Sequence, residues 1–65
     1  MTREQHMERC IEFRSKSMLA LTKCVEHFNQ TDWEEYKKYS KLANKEYGIA
    51  RMMLTKEMKK LEIYF

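Results

Sequence analysis

The sequence predicts an all-α protein, an antiparallel two-helix hairpin that dimerises into a four-helix bundle, and three observations predict it. The 65 residues contain no proline and one glycine, Gly48, so a sheet built on tight turns lacks its usual punctuation. Apolar side chains recur at three- and four-residue spacing through both halves of the chain, the period of a helix face. A chain this short leaves much of its surface wet and rarely supports a large private core, so a lone hairpin is expected to need a second copy.

The elements follow in order within one domain, residues 1–65. Met7, Ile11, Met18, Leu21, Val25 and Phe28 place helix one at about 3–28. Asn29 and Gln30 suit a turn over 29–31, and Thr31 followed by Glu34 reads as a capping box that starts helix two. Trp33, Tyr36, Ala43, Tyr47, Ala50, Leu54 and Leu61 continue the spacing to about 63. So short a link makes the helices antiparallel. Pairing Phe28 with Trp33 sets Val25 against Tyr36, Leu21 against Ser40, Met18 against Ala43, Arg14 against Tyr47, Ile11 against Ala50 and Met7 against Leu54, large against small along most of the seam. A second stripe on helix two, Tyr39, Leu42, Ile49 and Met53, is expected to point away from helix one, and residues 61–65, ending in Tyr64 and Phe65, to overhang the hairpin by about a turn. The length and hairpin layout resemble those of the plasmid-encoded Rop family, whose hairpins dimerise into a bundle and bind paired RNA loops. That resemblance is one of architecture and assigns no residue a role.

Composition narrows the function classes. Charged residues are 35% and apolar ones 43%, too apolar for a disordered tail and too charged for a membrane span. The N-terminus MTREQHMERC lacks the apolar stretch of a signal peptide, so a cytoplasmic protein without membrane association is expected. The lysine, tyrosine and methionine usage suits a low-GC bacterium or its phage. Cys10 and Cys24 would stand about 21 Å apart on one helix, beyond disulfide reach, and are expected to be free thiols. A net charge of +3 allows an acidic protein or a nucleic acid as partner without demanding either.

Four constellations carry possible chemistry. His6 with Cys10 and Cys24 with His27 are nearly mirrored about Ser17; two antiparallel copies of helix one could join them into zinc sites. The pattern matches no zinc-finger spacing, and cysteines at the edge of a stripe usually act as small hydrophobes, so no metal or cofactor is expected. Arg14 interrupts the helix-one stripe, where it either stacks on Tyr47 and reaches the rim or reads an acidic partner. Lys38, Lys41, Lys45, Lys56, Lys59 and Lys60 line helix two beside Arg51, diluted by Glu34, Glu46 and Glu57; such a stripe is more often solvated than bound to phosphates. The methionines Met52, Met53 and Met58 suit an adaptable contact surface.

Catalysis finds little support: one glycine permits no phosphate-cradling loop, and the only thiols near a base are those of the two His/Cys pairs. The expected function is that of a small non-enzymatic regulator or adaptor. It would bind and inhibit or modulate another protein through Tyr39, Leu42, Ile49, Met52, Met53, Tyr64 and Phe65, with nucleic-acid binding through the lysine stripe as the alternative.

Overall fold

Two helices and a three-residue turn account for the residues described, 1–63, in this computed structural model. Thr2 starts α1, Arg3–Glu26: its Oγ1 accepts from the Gln5 amide at 3.2 Å and its own amide donates to Gln5 Oε1 at 2.8 Å. Two otherwise orphaned donors are satisfied by one pair of side chains. The helix stops at His27, whose backbone is extended while its amide still reaches the Lys23 carbonyl at 2.9 Å.

Asn29 then opens α2, Gln30–Ile63. Its Oδ1 accepts from the Thr31 amide at 2.8 Å and its carbonyl from the Trp33 amide at 3.0 Å. The cap is therefore Asn29, with Thr31 inside the first turn, and the connection falls at 27–29, two residues earlier than the expected 29–31. An asparagine side chain is among the best acceptors for this position, which explains why it displaces the Thr31 capping box. Gly48 lies inside α2, and a methyl group built on it would meet nothing within 4 Å. Gly48→Ala should stabilise the protein by about 0.8–1 kcal/mol, the helix-propensity difference alone, read as a higher urea midpoint at unchanged slope.

The helices run antiparallel as a rod of 55 × 14 × 14 Å. The all-α hairpin expected from the sequence is thus present, but its seam differs from the expected one. Cys10, Ser17 and Ala20 of α1 are buried against Ala43, Glu46 and Ala50 of α2, while Ile11, Met18, Val25 and Phe28, assigned to the seam by their size, are exposed. Two forces favour the small stripe. Small side chains let the helix backbones approach closely, and the polar residues among them find partners there. Ser17 Oγ lies 2.7 Å from Ser40 Oγ, and His6 Nδ1 lies 2.6 Å from Glu46 Oε2. Each buried methyl contributes only about 0.8 kcal/mol, so three alanines and a cysteine make a small core for helices of this length.

The stripe expected to point away from helix one does not. Tyr39, Leu42, Ile49 and Met53 are half-buried along its flank, and the Tyr39 ring stacks on Phe13 at 6.2 Å. At the open end, Arg3 Nε lies 3.1 Å from Glu57 Oε2, so α2 from Met58 onward runs past the start of α1. Tyr64 and Phe65 lie outside the described residues.

Candidate interaction surface

With the small stripe used for the seam, the bulky one is left facing outward. At 100° per residue, Met7, Ile11, Arg14, Met18 and Val25 share a side of α1 that is about 90° from the seam, and Trp33, Tyr47, Leu54 and Met58 take the matching side of α2. Because the helices are antiparallel, both sets fall on the same face of the hairpin. Val25 is 79% exposed and Ile11 60%, values usual for surface lysines rather than for aliphatic side chains. Two grooves cross between the helices on this face. One, of about 250 Å³, is lined by Arg3, Met7, Tyr47, Ala50, Arg51 and Leu54; the other is a polar notch of about 220 Å³ among Arg14, Ser17, Tyr36, Ser40, Ala43 and Asn44.

The opposite face is closed by cations over its aromatic rings. Arg9 stands 5.9 Å from the centre of the Phe13 ring, and Lys16 and Lys38 stand 5.6 and 5.7 Å from that of Tyr39. Alkyl stems of such side chains cover apolar surface while the charges stay in water. This roof is why Tyr39 is less available than its spacing suggests.

The outer side of α2 has a third character. From Lys37 to Lys60 the sequence holds eight cations and two acids, Glu46 and Glu57, and both acids turn to α1, toward His6 and Arg3. The lysine stripe is therefore purer than its sequence suggests. Among the described residues none of these eight cations makes an ion pair. Met52, 63% exposed, lies on this side in a shallow groove with Gly48, Arg51, Thr55, Lys56 and Lys59. Of the predicted contact residues among the described ones, it is the one the fold leaves most open.

Inside the seam, Glu46 anchors a polar cluster that the sequence did not signal, because 40 positions separate it from His6. An ionised carboxylate only accepts, so His6 donates from Nδ1; Arg9 Nε adds a charge 3.6 Å from Oε1. The His6 hydrogen bond is the main reason the Glu46 carboxyl lies below its ordinary value of 4.5, with Arg9 acting in the same direction and burial opposing. Folded Glu46 therefore holds its proton less tightly than unfolded Glu46, and unfolding takes one up. Its stabilising contribution is complete above the ordinary carboxyl value and is lost as pH falls through the lower folded one. Urea midpoints should drop on acidification through that window, and Glu46→Gln should flatten the drop. An unchanged slope would show that other carboxylates set it.

This cluster also bears on the His/Cys mirror. His6 and Cys10 face α2 of their own chain, Cys10 being 1% exposed, and neither is presented to a second copy. Cys24 Sγ donates to the Asn29 carbonyl at 3.6 Å and His27 lies exposed at the turn. Among the described residues no three His, Cys, Asp or Glu side chains gather to hold a metal, and no helix is long and apolar enough to cross a membrane. Comparison with protein-family models, with curated proteins and with solved structures finds no match to this chain.

Proposed function

We propose that this chain is a non-enzymatic contact protein whose hairpin pairs with a second copy into a four-helix bundle and binds, and thereby inhibits or modulates, another protein through the outer side of α2. The observation that carries the reading is the exposed apolar face shared by both helices. A compact monomer of 8.0 kDa exposes about 4,500 Å², whereas this chain exposes 5494 Å². The excess of roughly 1,000 Å² is the size of one partner's share of a standard protein interface. With that face spent on self-association, Met52 and its ring of cations remain for a target, and an adaptable thioether among positive charges suits an acidic protein surface.

A second reading, nucleic-acid binding, is supported by one observation: Glu46 and Glu57 are withdrawn from the lysine stripe, which then runs about 35 Å along the helix with Glu34 left beside its first lysines. The two separate by titrating a fluorescent RNA or DNA duplex. Binding that weakens steeply with salt and is lost on Lys41→Glu with Lys45→Glu would replace the protein-binding reading. No binding at low salt removes the nucleic-acid one. Self-association has its own test, since a fold completed by dimerisation melts at temperatures that rise with protein concentration; a concentration-independent melt would defeat it.

A further inference from the structure

We infer that the two copies pair about a twofold axis running along the helices, so that α1 of each chain lies on α2 of the other. This deepens the self-association proposed above and rests on it. Two hairpins that bury the same face can be related in two ways. An axis across the helices sets each helix on its own counterpart; an axis along them sets each on the other kind.

Charge distinguishes the two. The outer edge of α1 beside the apolar face carries Glu4, Glu8 and Glu12; Glu4 lies 3.6 Å from Arg3 and Glu12 3.9 Å from Lys16 of the same helix, long exposed contacts, and among the described residues Glu8 makes no ion pair. The corresponding edge of α2 carries Lys37, Lys41 and Arg51, and among the described residues these make no ion pair. An axis across the helices would lay acid along acid and base along base, and a central axis would bring Arg14 against the partner's Arg14. An axis along the helices lays the acidic edge beside the basic one twice per dimer.

Shape agrees with charge. Heights along the rod are kept by an axis parallel to it, and the Ser17–Ser40 hydrogen bond of 2.7 Å shows which positions share a height. Met18 then comes opposite the partner's Ser40, a knob against a small residue, and Glu8 opposite the partner's Arg51. Arg14 meets the partner's polar notch at Asn44.

A sorting experiment tests the arrangement. A variant with the edges exchanged, Glu8→Lys and Glu12→Lys with Lys41→Glu and Arg51→Glu, changes only exposed residues. About an axis along the helices it remains complementary to itself but clashes with the native chain; about an axis across them the reverse holds. The native and isotope-labelled variant chains are mixed at low ionic strength, allowed to exchange, and weighed by native mass spectrometry. Heterodimers should fall from the random half to below about one fifth of dimers. A heterodimer share of half or more overturns the arrangement while leaving self-association standing. A native protein that is monomeric throughout overturns both. Should the fourfold variant lose helicity by circular dichroism, the pair Glu8→Lys with Arg51→Glu carries the same test, and a helical variant that stays monomeric while the native chain dimerises also overturns the arrangement.

Discussion

Met18→Glu should convert the proposed dimer to a single 8.0 kDa chain in sedimentation equilibrium, with most of the helical signal kept at high protein concentration. Met18 is exposed in the hairpin itself, so a carboxylate there is harmless to one chain. In the proposed bundle the same position is covered by a second copy, and an unpaired charge buried in an interface costs about 3–5 kcal/mol, a loss of two to three decades or more in affinity. The contrast between a tolerant hairpin and an intolerant dimer is the signature expected. An unchanged dimer would move the self-contact to another face.

Ala43→Leu should act in the opposite place and at the other level. Ala43 is 2% exposed in a seam whose helices approach through small residues, and a leucine has no room without spreading them. Overpacking of this kind costs about 1–3 kcal/mol, and spreading the helices would also stretch the Ser17–Ser40 and His6–Glu46 bonds. Urea unfolding should show a clear loss of midpoint that does not depend on protein concentration in the way the Met18→Glu loss does. A stabilised Ala43→Leu would mean that the helices stand further apart than the structure places them.

The two substitutions also mark what was legible in the sequence. Hairpin, direction and the near position of the turn follow from spacing, the missing prolines and the short polar link. The seam does not, because α1 carries two parallel stripes with the same period. Arg3, His6, Cys10, Phe13, Ser17, Ala20 and Cys24 form one; Met7, Ile11, Arg14, Met18, Leu21 and Val25 form the other. Hydrophobicity ranks the second stripe first, yet close approach and internal hydrogen bonds select the first for the chain's own partner helix. The oddity of Arg14 in a hydrophobic stripe was the available clue, since a lone guanidinium is easier to place on an outer face than in a private core. For the candidate surface, the exposure of Met52 was readable from its position opposite the stripe, whereas the shelter of Tyr39, Leu42 and Ile49 was not. For Tyr39 it depends on Phe13 and Lys16 of α1, which only the fold brings to its ring.

Withdrawal of Cys10 into the seam makes its thiol a reporter of how often the helices part. The sulfur is reachable only when α1 and α2 separate, while Cys24 near the turn is half-buried and sits on no such hinge. Alkylation of Cys10 should therefore proceed at the intrinsic thiolate rate multiplied by the open fraction, and slow further as protein concentration rises if a second copy clamps the hairpin shut. Peptide mapping after timed exposure to iodoacetamide would give Cys24 as the internal standard and Cys10 as the measure of opening, a clock built from the one bulky atom the small seam encloses.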